Sequence, residues 1–392
     1  EAAAMLLDGG GAYRCFCGVD DGRRNYPENA ERAEHECAAL SKETSERRAA
    51  AGEPFAIRFR VPPGRTSFAD MVMGKIEVEN SILEDFVLLR SDGVPTYHLS
   101  VVTDDIDMEI THVIRGADHI SNTPKQILLY RAAGRLVPEF AHLPLILGPD
   151  KQRLSKRHGA TSVMAYADDG CLPEAFFNFL SLLGWSPGDD REIFTRDELT
   201  SLFSLEGVGK ANAVFGLEKL DWFNSQYLRN MPIDELRRLA IANLKASGTW
   251  SDTPDLPVPL VYMDAALELV RPRARKTGDF SGNFRAFFTD DFSYDETAAA
   301  KFLPDPRLGD LIPVLLEKYA ASREFTLQST EADLRGVAEG GGVKAGLLIN
   351  ALRVALTGQG VAPGLFEVMQ VLGRERTLAR MRRLRGFYEG RE

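Results

Sequence analysis

The chain has 392 residues, of which 44% are hydrophobic and 27% charged, and a formal net charge of -10. That length buries two or three cores, and that charge excludes a protein held to nucleic acid by a general positive field. No run approaches the roughly 18 consecutive apolar residues of a membrane span, and the first residues lack the basic flank of a signal peptide, so a cytosol-like compartment and no membrane are expected.

In chain order, residues 2–7 open as a helix that stops at Gly9, Gly10 and Gly11. With Glu1 ahead of it, this opening predicts that a segment upstream is missing. Three of the four cysteines crowd at Cys15, Cys17 and Cys37, which in a reducing compartment points to a metal site or free thiols before disulfides. Residues 55–61 alternate as a half-buried strand does, and residues 86–89 read as a buried strand before a turn at Asp92 and Gly93. Strand signals mixed with helices continue through Val113, Ile114 and residues 143–147, making this region α/β.

After about Pro187 the strand signal fades. Helical patterns at 197–203, 217–227 and 234–246 follow one another, with Thr195 and Asp234 as capping residues at their starts. Pro254, Pro257 and Pro259 break one helical set from the next, and residues 340–342, all glycine, break another before a helix at 347–356. Between Arg374 and Arg391 lie seven arginines and two glutamates, with Leu372, Leu378 and Leu384 at helix-compatible spacing. Such a basic face on an acidic protein is either a local recognition surface or a solvated terminal helix.

The strongest local motif is Arg153-Leu-Ser-Lys-Arg157, after the turn Gly148-Pro-Asp150 and before His158-Gly159. A cation, an apolar residue, Ser and Lys on a short loop make a mobile arm that can stabilise charge on a triphosphate when a carboxylate attacks the α-phosphorus. Five such residues alone also fit a solvated loop.

Their context is more specific. Pro95-Thr-Tyr-His98, Asp104-Asp105, the run from Thr111 to His119, Asn122-Thr-Pro124, His142-Leu-Pro144 and the Lys156 loop together resemble the second half of a glutamyl-tRNA synthetase catalytic domain. Leu183-Gly-Trp-Ser-Pro187, Arg191 to Phe194, and the run from Val214 to Trp222 with Asn224 and Tyr227 continue the resemblance. Gly342-Val-Lys344, Leu352 to Gly358 and Pro363 to Glu367 resemble the helical anticodon-binding domain of bacterial and organellar members. The likeness covers nearly the whole chain in order.

The resemblance implies a Rossmann-like class I α/β catalytic core, incomplete at its N-terminus, followed by all-α helical bundles. The catalytic remainder would span residues 1–190 with an acceptor-end insert at about 10–85, a connecting domain 191–250, and an anticodon-binding domain 251–392. The family's histidine-containing turn near the start of that core is missing from these residues, so the resemblance implies that they are poorly active alone. The implied reaction forms glutamyl-adenylate from L-glutamate and ATP with Mg2+, then passes the glutamyl group to tRNA(Glu). A monomer in the cytoplasm or an organellar matrix is implied.

Residue by residue, the resemblance assigns catalysis to Lys156 and ATP binding to Lys156, Arg153, Ser155, Leu145 and Asp118. Glutamate falls to Arg115, Tyr97 and His119; the anticodon to Arg353, Pro363 and Leu365. Where many members read Glu-Asp-His, this chain reads Ala117-Asp118-His119. Chemistry agrees on Arg115, because a planar two-pronged donor tells a carboxylate from a carboxamide better than lysine does. The competing readings are an ion pair of Arg115 with Asp104 or Asp105, and a core strand position for Tyr97. Cys15, Cys17 and Cys37 resemble the zinc-binding insert of some members; Ala39 stands where the fourth ligand would be, and His35 can replace it. Three alternatives make other expectations. A glutaminyl enzyme would carry β-barrel anticodon domains, and a short tRNA-modifying relative would carry none. A catalytically incomplete tRNA-binding protein would have no use for the Lys156 loop.

Overall fold

The computed structural model describes residues 1–17, 36–155, 157, 162–250 and 260–388. They pack as two units, the first made of Glu1–Leu154, Ser181–Arg191 and Asp197–Phe215, the second of Ser155–Leu180, Glu192–Arg196 and Gly216–Glu392. Lys156, His35 and the prolines at 254, 257 and 259 lie outside the described residues.

The first unit opens with α1 (Ala2–Asp8), β1 (Ala12–Cys15), α2 (Lys42–Ala50) and β2 (Ala56–Phe59). A hairpin of β3 (Arg65–Asp70) and β4 (Gly74–Glu79) follows, then β5 (Val87–Leu89) and α3 (Tyr97–Asp107). Next come β6 (His112–Gly116), α4 (Thr123–Ala132), β7 (Glu139–Leu143) and β8 (Ile146–Leu147). The alternation seen at 55–61 is that of β2: Ile57 and Phe59 are buried, and Arg58 between them reaches the Asp85 carbonyl. β2 lies between β1 and β5, antiparallel to both, and packs with α1, α3 and α4 around Leu88, Leu99 and Leu129.

A second sheet runs β4-β3-β7-β6, with β3, β7 and β6 mutually parallel and β4 antiparallel at the edge. Because β6 and β7 are parallel neighbours, their connection must cross back over the sheet, and α4 makes that crossover. The strand expected over 143–147 is instead two strands. Pro144 has no amide hydrogen to continue a ladder, so β7 ends at Leu143 and β8 pairs with a strand at Ala213–Val214.

Continuing along the chain, α5 (Val163–Asp168) and α6 (Pro173–Ser181) precede α7 (Arg196–Leu202), β9 (Ala213–Val214), α8 (Leu217–Asn230) and α9 (Ile233–Ala246). After them come α10 (Leu260–Val270), α11 (Glu296–Phe302), α12 (Arg307–Ala321), α13 (Leu327–Gly340), α14 (Ala345–Thr357) and α15 (Leu365–Tyr388). Sequence-local devices set their ends. Asp295 accepts the Ala298 amide at 2.8 Å to start α11, and Thr326 and Ser329 satisfy each other's amides to start α13. α9 through α15 bury one continuous apolar cluster that includes Leu236, Leu267, Tyr319, Leu348, Leu352 and Met381. Two residues of the α8 motif are brackets within this unit. Asn224 accepts the Leu172 amide at 2.8 Å and donates to the Gly170 and Arg275 carbonyls, while the Tyr227 hydroxyl donates to Asn178 and to the Phe194 carbonyl.

Part of the arginine-rich end serves neither as a solvated helix nor as an open basic face: Arg382, Arg383 and Arg385 are exposed, but Arg380 is not. Gly373 breaks α15 with φ +77°, a backbone state costly for any residue with a Cβ. Beyond it Leu378 and Leu384 enter the core and bring Arg380 with them. Arg380 is only 4% exposed. It donates to the Leu356 and Ala286 carbonyls at 2.6 and 2.7 Å and to Asp290 at 2.6 Å, over the face of Phe292. Arg376 lies over Tyr262, and Arg383 donates to the Phe292 carbonyl.

Replacing Arg380 with Met keeps the apolar stem but strands two buried carbonyls and half of an ion pair. Arg380→Met is therefore expected to destabilise the second unit by about 3 kcal/mol, and Arg382→Met, at an exposed position, by less than about 0.5. Urea unfolding measures both. Equal effects of the two substitutions would return Arg380 to the solvated surface.

Candidate active site

Asp70, Arg115 and His142 stand at or next to the carboxyl ends of the parallel strands β3, β6 and β7. In open α/β sheets this edge is where ligands bind. Arg115 and His142 are register partners on adjacent strands, so their side chains rise from the same face. The Arg115 Nε donates to His142 Nε2 at 3.2 Å. Its Nη2 donates to Thr123 Oγ1 and Gln126 Oε1, both at 2.7 Å, and more weakly to the His119 carbonyl at 3.4 Å. Thr123 and Gln126 are buried on the first turn of α4.

All of these acceptors are neutral. No carboxylate lies within ion-pair distance of Arg115 among the described residues, and Asp105 instead accepts the Tyr130 hydroxyl at 2.8 Å. The expected alternative of an ion pair with Asp104 or Asp105 is not what the chain builds. Burial holds the Arg115 guanidinium below its ordinary value. Gln126 Nε2 is enclosed and has no hydrogen-bond partner among the described residues.

Behind Arg115 the chain of contacts continues. The His142 Nδ1 meets Asp70 Oδ2 at 2.6 Å, with both side chains fully buried. Asp70 also accepts the amides of Val72 at 3.0 Å, Met73 at 2.8 Å and His142 at 3.1 Å. Burial alone would raise this carboxyl, but those amides and the imidazole together hold it below its ordinary value. Burial also holds the His142 imidazole down, against the pull of Asp70.

Around the guanidinium stand Tyr97, His98 and His119. Tyr97 is the first residue of α3 and half exposed, not a core aromatic on a strand. Its ring lies 6.0 Å from that of His119, and its hydroxyl is within reach of Arg115. His98 packs edge-on to Phe86 with Nδ1 enclosed and unpartnered among the described residues. Burial first, then the Lys125 and Arg115 cations, push its imidazole down to about 4. Asp118 pairs with Arg153 at 3.0 Å. Gly116 permits that approach, since a Cβ there would sit 2.6 Å from Asp118 Oδ1. The Leu145 amide donates to Asn212 at 2.9 Å and its carbonyl accepts from Ala213 at 3.1 Å, so its own backbone is already engaged. Ser155 and Arg157 belong to the second unit.

Cys15, Cys17 and Cys37 converge in space: their sulfurs lie within 4.8 Å of one another, and the Phe16 amide donates to Cys37 at 3.2 Å. A tetrahedral zinc with bonds of about 2.3 Å sets sulfur–sulfur distances near about 3.8 Å, so the three donors fit one centre. In the second unit Arg353 is half-buried and donates to Asn350 at 2.8 Å, while Pro363 and Leu365 are buried and offer a ligand little beyond their backbone. A cleft of about 900 Å³ in that unit brings together Trp222, Arg229, Arg273 and Arg275. Sequence reasoning missed this cleft and the Asp70–His142 pair, because each joins segments far apart in the chain. The one local signal was an aspartate interrupting an otherwise apolar stretch, Phe68-Ala-Asp-Met-Val-Met73.

Residues 1–222 match the family described as tRNA synthetases class I (E and Q), catalytic domain, and residues 236–385 match the anticodon binding domain. The chain is 54% identical to glutamate–tRNA ligase 2 of Koribacter versatilis, over 97% of this chain and 80% of that protein. It is 43% identical to the glutamate–tRNA ligase of Thermodesulfovibrio yellowstonii, over 97% and 81%. Among solved structures it is similar to a glutamate tRNA ligase from Elizabethkingia meningosepticum in complex with its amino acid. The TM-score is 0.77 at 29% identity, covering all of this chain and 82% of that one.

His98 and His142 give the first unit a pH dependence whose sign is fixed. A base whose folded pKa lies below its unfolded value binds fewer protons when folded, so its stability contribution is complete above the unfolded value near about 6.5 and is lost as pH falls toward the folded value. For His98 that window ends at about 4. Unfolding of this unit near pH 5.5 should take up about one proton fewer in His98→Asn than in the parent, as read from urea midpoints at several pH values. An unchanged pH slope would mean that His98 is charged in the folded chain.

Proposed function

The chain belongs to the glutamate–tRNA ligase family of class I aminoacyl-tRNA synthetases, and we propose that it uses ATP to join L-glutamate to tRNA(Glu) through a glutamyl-adenylate. The observation that carries this reading is Arg115: a half-buried guanidinium that, among the described residues, is held by neutral groups and has no carboxylate partner. The side-chain carboxylate of glutamate supplies that partner. A carboxamide would leave the charge uncompensated.

The glutamate α-carboxylate attacks the α-phosphorus of ATP, a bond to phosphorus forms, and pyrophosphate departs. A terminal ribose hydroxyl of the tRNA then attacks the acyl carbon and AMP departs. Arg115 holds the side-chain carboxylate, and Tyr97 and His119 border it. Lys156, with Arg153 and Ser155, serves the phosphates as developing charge requires; Asp118 steadies Arg153. With its amide committed to Asn212, Leu145 meets adenine through its side chain and the remaining lone pair of its carbonyl. Mg2+ arrives with ATP.

Cys15, Cys17 and Cys37 would hold a zinc ion, with His35 as the fourth ligand, and the ion would supply a structural cross-link for residues 1–190, the catalytic part, within the acceptor-end insert at about 10–85. Residues 191–250 connect to residues 251–392, where Arg353 and the loop of Pro363 and Leu365 meet the anticodon. Unpaired anticodon bases offer edges that arginine and backbone groups read. The arginines and Trp222 of the cleft suit an RNA backbone and an unstacked base. We place the enzyme in the cytoplasm as a monomer; no helix among the described residues is long and apolar enough to cross a membrane.

Three measurements test this. In adenylation with saturating tRNA(Glu), Arg115→Leu should lower glutamate activation by about 100-fold or more and collapse the preference for glutamate over glutamine. Should activation fall while the preference stays, Arg115 is a scaffold residue and specificity is set elsewhere. Arg353→Ala should raise the KM for tRNA by about tenfold and leave that for glutamate unchanged; an unmoved tRNA KM removes Arg353 from the interface. Protein purified without chelators should carry one zinc per chain, and Cys37→Ser should lose it. Metal-free parent protein in which the thiols of Cys15, Cys17 and Cys37 all titrate, beside that of Cys171, would make the cluster plain cysteines.

A further inference from the structure

Behind Arg115 lies a fully buried pair, Asp70 and His142. Arginine Nε always carries a hydrogen, so the contact at 3.2 Å requires His142 Nε2 to be an acceptor. The ring proton then sits on Nδ1, where it is donated to Asp70 at 2.6 Å. Which imidazole nitrogen carries the proton is set by the partner of the other, and here that partner is a carboxylate that the Val72, Met73 and His142 amides hold in place. Among the described residues nothing else is placed to do this. The remaining neighbours of the His142 ring are the rings of Phe68 and Phe140 and the Thr123 hydroxyl, which is 3.1 Å from Nε2 and itself accepts from Arg115.

We propose that Asp70 is a positioning residue for acid-over-amide selectivity: by fixing the Nδ1–H form of His142 it keeps a lone pair, and not a hydrogen, facing Arg115. This rests on Arg115 as the reader of the substrate carboxylate. Guanidinium orientation in a plane decides whether both prongs or one meet a carboxylate. Without the acceptor at Nε, the fork is held at its Nη2 end, by Thr123 and Gln126, and can turn about that end. The isosteric change Asp70→Asn separates tautomer from shape. An asparagine oxygen kept on the three amides turns its NH2 toward His142 Nδ1, so the ring must carry its proton on Nε2. Two donors then face each other across the Arg115 contact. In serine proteases, an unrelated fold, the same aspartate-to-asparagine change in the catalytic triad acts by forcing the wrong tautomer of the histidine while leaving the geometry intact.

Asp70→Asn should raise the KM for glutamate by about tenfold and lower the glutamate-to-glutamine efficiency ratio equally, with kcat and the KM for ATP within about twofold of the parent. In an Arg115→Leu background the same substitution should leave the ratio unchanged, since it acts only through Arg115. Should Arg115→Leu alone leave selectivity intact, the reading of Arg115 fails. If Arg115→Leu abolishes selectivity while folded Asp70→Asn keeps it, Asp70 positions nothing. A measurement on the unsubstituted enzyme keeps the test independent of folding: nitrogen chemical shifts of labelled histidine should give His142 a protonated Nδ1 and a bare Nε2. A protonated Nε2 overturns the proposal.

Discussion

Much of the first unit is organised by one unpaired charge. A guanidinium half out of water needs acceptors, and any carboxylate among them would satisfy it permanently and close the site to an anionic ligand. The chain meets this constraint by surrounding Arg115 with a hydroxyl, an amide oxygen, a carbonyl and an imidazole. They come from three parts of the fold, the turn at His119, the start of α4 and β7. The parallel pairing of β6 with β7 sets His142 beside Arg115, and the α4 crossover that this pairing demands delivers Thr123 and Gln126. The end of β3 supplies the Asp70 carboxylate, and the imidazole keeps it from touching the guanidinium.

Local signals in the sequence were read well where one face meets one core. The alternation at 55–61 and the amphipathic runs at 217–227 and 234–246 depend only on period, and they became β2, α8 and α9. The Arg115 position and the cysteine cluster were also legible, as residue types with a chemical purpose. What the reading missed depends on pairing between distant segments. β3 is half polar on both faces and hid the hairpin, although β4 alternates cleanly, with Lys75, Glu77 and Glu79 exposed opposite Ile76 and Val78. The Asp70–His142 contact spans 72 residues, and neither residue reveals the other.

Composition hid one use of arginine at the other end of the chain. Seven arginines over residues 374–391 suggested a face turned to solvent or to RNA. Arg380 is instead an internal cross-brace, because its five donors can close helix-end carbonyls from two segments at once while its stem packs on Phe292. Lysine could not reach the same set, having a single point of donation. A count of charges cannot separate these uses, since that separation comes from the leucines at 378 and 384, which turn one side of the helix inward.

Two aspartates show how the fold keeps the reading of a carboxylate possible. Asp104 and Asp105 lie on the helix that begins with Tyr97, close enough in sequence to make an internal ion pair with Arg115 a natural expectation. Such a pair would have set an internal carboxylate in competition with the substrate's own, and binding would then have gained only the difference between two similar contacts. The Tyr130 hydroxyl removes that competitor by holding Asp105 at 2.8 Å, and burial raises the Tyr130 hydroxyl far above its ordinary value, so that it remains a donor. Asp105 is thereby left to act on Arg115 only at a distance, favouring its charged form without occupying its donors. The guanidinium stays charged, oriented and free of any carboxylate partner among the described residues, and those are the three conditions that the proposed separation of an acid from its amide requires.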